Sequence, residues 1–215
     1  MNEKLNFNSL TNEHKDLHTV NAIKGLVMDG VRKANSGHPG GPMSLADFTY
    51  ILYSEFLSFD PENPDWENRD RVVLSVGHTC MLLYSILYLC GFLTKEDLKK
   101  FRQLGSLTPG HPEIHTPGID ANTGPLGQGV GMGIGMALAE KSLSNSDKKR
   151  FTYILAGDGD LQEPIALGAS TLAGHWKLSN LIMFYDKNDI QIAGKTSRVD
   201  STNYAKLFGA MDWHV

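Results

Sequence analysis

Residues 155–164, LAGDGDLQEP, place glycines and aspartates between a β-prone run, FTYIL at 151–155, and an apparent helix. Asp158 follows that run, and Asn188 follows a second strand-like run, LIMFYD. Loops that follow neighbouring parallel strands converge at the carboxyl edge of a sheet, so we expect these two side chains to lie close together. Carboxylate and amide oxygens are hard ligands of the kind that Mg²⁺ or Ca²⁺ prefers. The pattern predicts a divalent metal site.

The glycines on either side of Asp158 indicate an anion beside that metal. Gly157 and Gly159 let the backbone come close to a phosphate, and the helix that starts near Glu163 directs its positive end toward the same place. A metal-bridged diphosphate accounts for all of these features. The alternative is that the tripeptide is only a strand-to-helix turn with Asp158 as the helix cap. The tripeptide alone favours this alternative, whereas Asn188 after the next strand favours the metal site.

Apolar periodicity and turn residues predict the elements that position this site. A glycine-rich helix is expected from Gly127 onward, with glycines that let another backbone approach closely. A long loop rich in Gly, Pro and His, at 105–125, suggests a function by its length. The other elements are a buried strand at 71–75 and helices at 16–34, 44–57, 79–91 and 95–104, the last capped by Thr94.

The segment between the two strand-like runs predicts a βαβ unit. Ile165, Ala169, Leu172 and Trp176 mark one face of the helix that joins the strands. Such a unit implies parallel strands, with helices covering both faces of the sheet. We therefore expect residues 1–215 to form one α/β domain.

Composition argues against several classes of partner. The 215 residues carry a formal net charge of -4 and a pI near 6.0, which give no electrostatic footprint for nucleic acid or an anionic membrane surface. The sequence has neither a signal-peptide pattern nor the apolar run of about 20 residues that a spanning helix needs. Cys80 and Cys90 lie among apolar residues, and we interpret them as buried thiols in a reducing compartment. We expect a cytoplasmic protein.

A resemblance to a known family extends the argument. The GDG tripeptide, followed by Asn188 thirty residues after Asp158, resembles the thiamine-diphosphate motif. Five collinear blocks, which cover nearly all of residues 20–196, resemble segments of the transketolase family and imply its thiamine-diphosphate-binding fold. These blocks are KANSGHPGGP (33–42), NPDWENRDRVVLSVGH (63–78), FRQLGSLTPGHPE (101–113), TGPLGQG (123–129) and LAGHWKLSNLIMFYDKNDIQIAG (172–194).

The resemblance implies that the cofactor is thiamine diphosphate and that the metal is Mg²⁺ or Ca²⁺. The metal ligands are then Asp158, Asn188 and the backbone carbonyl of Ile190, while Gly157 contacts the diphosphate. The full cofactor-binding set implied by the resemblance is His78, Gly124, Leu126, Gly157, Asp158, Glu163, Asn188 and Ile192.

Three of these residues are assigned to the rest of the cofactor. By similarity, Gly124 and Leu126 line the aminopyrimidine side. Glu163 corresponds to a family glutamate at the dimer contact, which is coupled to the cofactor ring of the neighbouring site.

Histidines in three glycine-bearing loops are predicted to be catalytic. By similarity, His38 and His111 lie near substrate hydroxyls, and His78 lies near the diphosphate. Ketol transfer creates and removes hydroxyls and an enolate-like carbanion, and imidazole donates or accepts protons near neutral pH. An ordinary loop histidine explains any one of them alone, but three in matching blocks favour an active-site channel.

Some residues depart from the family pattern. Pro164 and Gly168 stand where the family usually has Gly and Glu, and Asp189 and Ala193 also differ from common family residues. The glutamate that the family usually has at position 168 belongs to an acidic network between two active sites. Its replacement by Gly168 therefore affects the expected link between the sites and does not affect metal binding.

Transketolase chains continue through a pyrimidine-binding domain and a C-terminal domain, which carry the glutamate that activates the cofactor and the basic residues that bind the sugar phosphate. This sequence ends at AMDWHV. We therefore expect an N-terminal component whose fold is incomplete at its C-terminal end. It would act on sugar phosphates only with a pyrimidine-binding subunit or the remainder of a longer chain, in a homo- or hetero-oligomer. The alternatives are a non-catalytic cofactor-binding module and a related enzyme such as dihydroxyacetone synthase or deoxyxylulose-phosphate synthase.

Overall fold

A computed structural model of the chain describes residues 7–143, 149–192 and 194–215, so Ala193 lies outside the described residues. Its main sheet has three parallel strands in the order β1 (Arg71–Leu74), β2 (Thr152–Gly157) and β3 (Leu181–Asp186). Leu74 pairs with Leu155, and Gly157 pairs with Asp186 at the carboxyl edge. The predicted parallel βαβ unit is confirmed.

Eight α-helices surround the sheet in the described part of the chain, and a two-stranded antiparallel ribbon follows β3. The helices are α1 (Asn12–Ala34), α2 (Gly40–Ile51), α3 (Cys80–Leu89), α4 (Lys95–Lys99), α5 (Gln128–Leu143), α6 (Asp158–Leu161), α7 (Pro164–His175) and α8 (Tyr204–Ala210). The ribbon strands are β4 (Ile190–Gln191) and β5 (Gly194–Lys195).

The two faces of the sheet carry separate hydrophobic cores. Tyr153 and Leu155 of β2 belong to the core shared with α1, α2 and α3, whereas Ile154 and Ala156 belong to the core shared with α5, α7 and α8. This alternation follows from the two-residue period of a strand. The predicted α/β fold, with helices on both faces of a parallel sheet, is confirmed.

The glycines of α5 do allow a close approach. A Cβ at Gly129 would lie 2.5 Å from the Cα of Ser75, and one at Gly133 would lie 2.6 Å from the side chain of Ile154. Contacts this short are not tolerated, so α5 packs against the sheet at a distance that only glycine permits. The first turns of this helix therefore pack against the end of β1 and the middle of β2.

Three helices differ from the sequence prediction by four residues or more at one end, and the first is α1, which begins at Asn12 rather than at residue 16. The helix expected at 44–57 begins at Gly40 and passes into a π-helical turn at Leu52–Phe56. Pro42 is tolerated because N–H groups in a first turn have no helical partner. The helix expected at 95–104 ends at Lys99, since Arg102 adopts a left-handed backbone with φ of 61° and its N–H bonds to Thr108.

The outward side of α7 carries the large apolar residues. Ile165 is 52% exposed and Leu172 is 46% exposed, while the small residues Ala166, Ser170 and Ala173 face the core. Small side chains are favoured there because α7 packs closely on the glycine-rich α5. Of the predicted apolar face, Ala169 and Trp176 are partly buried and pack against the core, whereas Ile165 and Leu172 do not. Within the described residues, no helix is both long and apolar enough to cross a membrane.

Candidate functional site

Asp158 lies where the predicted site requires it, at the carboxyl end of β2. Its side chain is almost fully buried, and its carboxylate accepts hydrogen bonds from the backbone N–H of Asp189 at 3.0 Å and of Asn188 at 3.3 Å. The hydroxyl of Tyr185 also donates to this carboxylate. The loops after β2 and β3 are therefore in direct contact, and the neighbourhood of Asp158 and Asn188 agrees with the prediction.

The loop after β3 presents oxygen atoms to solvent beside Asp158. The side-chain oxygen of Asn188 accepts the N–H of Ile190 at 3.0 Å, and its amide nitrogen donates to Asp186 at 3.1 Å. The hydroxyl of Ser44, in the second turn of α2, lies 3.4 Å from both carboxylate oxygens of Asp186. Carboxylate, amide and carbonyl oxygens are the donor types that suit Mg²⁺ or Ca²⁺. The chemistry of this donor set fits the predicted metal.

The described part of the chain holds no metal site built only from carboxylates, imidazoles and thiolates. Across the residues that the structure describes, no group of three or more such side chains is placed to hold an ion. A cation beside Asp158 would therefore depend on amide and carbonyl oxygens, such as those of Asn188 and Ile190, and on oxygens of a ligand. Ile190 is 61% exposed, and Ile192 is fully exposed with a left-handed φ of 51°.

The glycines around Asp158 lie close to side chains of two neighbouring loops. A Cβ at Gly157 would lie 2.8 Å from Val76, and one at Gly159 would lie 2.8 Å from Leu126. The turn is thus enclosed by the loops that carry residues 76 and 126, and Leu126 rests on it. A larger residue at either glycine would require the side chain of Val76 or Leu126 to move.

Asp160 is a further residue of this turn, and the sequence reasoning missed it. It is fully buried, and its carboxylate accepts from the hydroxyl of Ser75 at 2.8 Å and from the N–H groups of Gly127 at 2.7 Å and Gly157 at 2.9 Å. Burial raises the pKa of Asp160, while the three hydrogen bonds lower it. The carboxylate thereby joins the end of β1, the start of α5 and the end of β2.

A capping pattern was the signal that could have identified Asp160. Gly157 is the N-cap of α6, and Asp160 is its third helical residue, whose carboxylate reaches back to the N-cap N–H. This is the returning half of a capping box. The alternative in which Asp158 caps the helix is wrong, because Asp158 is the first helical residue.

The three predicted histidines converge on one side of the site. The rings of His38 and His78 form an edge-to-face pair with centroids 5.0 Å apart. The ring of His111 lies against Gly124, where a Cβ would be 3.5 Å from the imidazole. A Cβ at Gly77 would lie 2.9 Å from the backbone N of Gly124, so the loop of His78 also contacts that of Gly124. The structure thus brings the three histidines and Gly124 together.

The surroundings of these rings lower the pKa of two histidines. Burial lowers the pKa of His78, and the positive charges of His38 and His111 lower it further. Burial also lowers the pKa of His111, followed by the charges of Arg102 and His38, whereas Glu113 opposes the shift. Both imidazoles are therefore mainly neutral near pH 7, with a ring nitrogen able to accept a proton.

Glu163 and Leu126 are placed by a turn at Gly127. Gly127 has a left-handed φ of 78°, and a Cβ there would lie 2.7 Å from the Cβ of Glu163. Glu163 is the N-cap of α7. Gly168 lies on the exposed side of α7, where a Cβ would meet no described atom within 4 Å. The missing carboxylate at this position therefore leaves the contacts of the turn intact.

Two cavities of the chain lie away from these residues. A cleft of about 280 Å³ at the amino ends of β1 and β2 is lined by Arg71, Glu140 and Arg150, among others. A smaller one, of about 20 Å³, lies beside Tyr53 and Asp120. The predicted site is instead an open edge, formed where the loops after the strands meet.

The chain is similar to proteins of one known family. Residues 15–215 match the family described as "Transketolase, thiamine diphosphate binding domain". The chain is 51% identical to transketolase of Bacillus subtilis over 206 residues, which cover 92% of this chain and 31% of that protein. It is 49% identical to transketolase of Halalkalibacterium halodurans over 212 residues, which cover 94% of this chain and 32% of that protein.

Solved structures show the same fold. A Pichia stipitis transketolase variant superposes with a TM-score of 0.89 at 46% identity, covering 93% of this chain and 31% of that one. Transketolase of Campylobacter jejuni superposes with a TM-score of 0.87 at 49% identity, covering 90% of this chain and 31% of that one. The chain therefore spans less than a third of the length of these solved relatives.

Proposed function

Because this chain belongs to the transketolase family, we propose that it binds the diphosphate end of thiamine diphosphate with Mg²⁺. It thereby supplies one side of a site for moving a two-carbon ketol unit from a ketose phosphate to an aldose phosphate. The observation that carries this proposal is the direct contact between the Asp158 carboxylate and the loop of Asn188, beside the histidine cluster.

The residues that hold the metal are Asp158, Asn188 and the carbonyl oxygen of Ile190. Asp158 is oriented by hydrogen bonds from the N–H groups of the loop after β3, which hold its carboxylate beside that loop. Gly157 faces the diphosphate, and Ca²⁺ can replace Mg²⁺ because both prefer oxygen ligands. When bound, thiamine diphosphate supplies a thiazolium carbon that stabilises the carbanion of the transferred unit.

The histidines bind the substrate and move its protons. His38 and His111 contact sugar hydroxyls, and His78 lies at the diphosphate. The lowered pKa values of His78 and His111 leave a ring nitrogen free to accept a proton from a hydroxyl near neutral pH. His38 pairs edge to face with His78 and fixes the orientation of that ring.

The other half of the site comes from a pyrimidine-binding part, carried by another polypeptide or by the remainder of a longer chain. Residues 1–215 form one diphosphate-binding domain in this arrangement. Gly124 and Leu126 face the aminopyrimidine, and Ile192 also contacts the cofactor. Glu163 lies at the contact with the second part, and the assembly is a dimer or a hetero-oligomer. We place this activity in the cytoplasm and in the pentose phosphate pathway.

A coupled ketol-transfer assay tests the proposal. We expect no turnover from the 215-residue chain alone, and turnover that needs both thiamine diphosphate and Mg²⁺ once a transketolase pyrimidine-binding part is added. Turnover by the chain alone would refute the proposal that it supplies only one half of the site. If the assembled protein binds the cofactor but transfers no ketol unit, the chain is a non-catalytic module instead.

A further inference from the structure

Helix α3 begins two residues after His78 and makes contact with the loop that carries His111. Cys80 and Tyr84 are four residues apart, so they lie one turn apart on the same face of α3. The hydroxyl of Tyr84 lies 3.0 Å from the carbonyl oxygen of Pro109 and 2.9 Å from that of His111. One helix face therefore reaches the backbone of the second histidine loop.

The thiol of Cys80 completes this contact. It lies 3.2 Å from the carbonyl oxygen of Gly110 and 3.7 Å from that of Pro109. Three consecutive carbonyls, at 109, 110 and 111, are thus met by donors on α3. The single hydroxyl proton of Tyr84 is shared between two of them, and the thiol is a weaker donor. Most of the hydrogen bonding at this contact therefore comes from Tyr84.

Both donors keep their protons across the pH range in which the protein would act. Burial raises the pKa of Cys80 to about 12 and raises the pKa of Tyr84 well above its ordinary value. Tyr84 is fully buried, so its hydroxyl is shielded from competing water. Carbonyls that lose a buried donor remain without a partner, which destabilises the contact between the loop and the helix.

We propose that Tyr84, assisted by Cys80, is a positioning residue that fixes the His111 loop relative to His78 through these carbonyls. The first turns of α3 then set the spacing of the two histidines, because His78 precedes the helix and His111 is held by its face. The same contact keeps the His111 ring against Gly124. The use of this spacing on a sugar rests on the proposed function, whereas the positioning itself does not.

The aromatic ring of Tyr84 has a separate, structural role. It packs edge to face on Phe101, with centroids 6.1 Å apart, in the core beneath the loop. Tyr84→Phe removes only the hydroxyl and keeps the ring. Tyr88→Phe is the matched control, because Tyr88 lies one turn further along α3 and is only partly buried.

Titration of the His111 ring, followed by NMR on the full chain, tests the proposal. His38, Arg102 and Glu113 are the charged groups around this ring. When the loop loosens, the ring gains water and leaves the two cations, so the pKa of His111 in Tyr84→Phe should rise toward about 6.5. Tyr88→Phe should titrate like the unchanged chain, and the change at His111 should exceed that at His78.

A second pair of variants keeps the test decisive if Tyr84→Phe folds poorly. Cys80→Ser retains a donor to Gly110 and should leave the His111 titration unchanged, whereas Cys80→Ala should shift it in the same direction as Tyr84→Phe but less. An unchanged His111 titration in Tyr84→Phe or Cys80→Ala, with only a loss of stability, would overturn the proposal. Failure of the unchanged chain's assembly to bind thiamine diphosphate would contradict the proposed function but leave this result standing.

Discussion

Asp158 and Asp160 lie two residues apart in one turn, and their carboxylates accept hydrogen bonds from different parts of the protein. The Asp160 carboxylate is bonded to three elements of the scaffold, through Ser75, Gly127 and Gly157, and is closed to solvent. The Asp158 carboxylate is instead bonded to the strand end and exposed loop that carry Asn188. The scaffold side of the turn is saturated with hydrogen bonds, and the other side borders an open edge.

This difference separates a buried carboxylate that joins elements of the scaffold, Asp160, from one that binds the metal in the proposed function, Asp158. Three donors on separate elements fix Asp160 so firmly that it has no remaining role. The donors to Asp158 come from neighbouring residues in β3 and in the loop after it, so its surroundings can adjust around a cation. Donors that bond to a metal-binding carboxylate orient it and tune its affinity for the metal.

Replacing Asp160 should have the largest effect on folding. Asp160→Ala leaves three donors unpaired in the interior and should lower the free energy of unfolding by about 3 kcal/mol or more. Urea denaturation measures this loss, with Asp65→Ala, at an exposed residue of the loop before β1, as the control. Asp158→Ala should cost clearly less, because water reaches the exposed loop N–H groups of Asn188 and Asp189. Equal losses of unfolding free energy in the two variants would contradict the difference proposed between Asp160 and Asp158.

Tyr185 sharpens the comparison from the ligand side. Tyr185→Phe deletes one donor to Asp158 and keeps the ring contact with Tyr204, whose centroid lies 5.6 Å away. We expect the affinity for Mg²⁺, measured by calorimetry in the presence of thiamine diphosphate, to fall by about 10–100-fold. Tyr204→Phe, which removes a hydroxyl that donates to Asp200 instead, is the control. Unchanged Mg²⁺ affinity in Tyr185→Phe would separate this hydroxyl from the metal site.

The histidine cluster should produce the smallest effect, a dependence of stability on pH. Since the folded chain holds the pKa of His78 and His111 below the unfolded value of about 6.5, unfolding takes up protons in mildly acidic solution. Their contribution to stability is complete above that value and is lost as the pH falls below it. Denaturation at pH 7.5 and 5.5 should show a smaller difference in His78→Gln and His111→Gln. A larger difference in either variant contradicts the assignment.

The sequence was sufficient for β2 and β3 of the parallel sheet, because FTYIL and LIMFYD are short apolar runs whose ends are marked by Asp158 and Asp186, but it did not predict the ribbon of β4 and β5. It also indicated which loops meet, since parallel strands must bring their carboxyl ends to one edge. The end of α4 was not predictable from its charged pattern, because a left-handed residue at Arg102 is set by the contact with Thr108.

The residues that hold the site residues in place were harder to predict from the sequence than the site residues themselves. Tyr185 looks like any strand residue, and its hydroxyl acquires a role only because β2 and β3 pair in register. Tyr84 likewise has an apolar helical context, and its partners, the carbonyls at 109 and 111, lie in a loop far along the chain. Residue type and spacing identify groups that do chemistry, whereas the groups that hold them depend on tertiary contacts.

The most direct test of the account is calorimetric titration of thiamine diphosphate into the chain assembled with a pyrimidine-binding part, with and without Mg²⁺. We predict binding that requires Mg²⁺, survives in Asp65→Ala and is weakened at least about 100-fold in Asp158→Ala, the upper end of effects seen at metal-site residues. Circular dichroism establishes that the Asp158→Ala assembly remains folded. Undiminished, Mg²⁺-dependent binding by folded Asp158→Ala would contradict the central claim that the end of β2 holds the metal and the diphosphate.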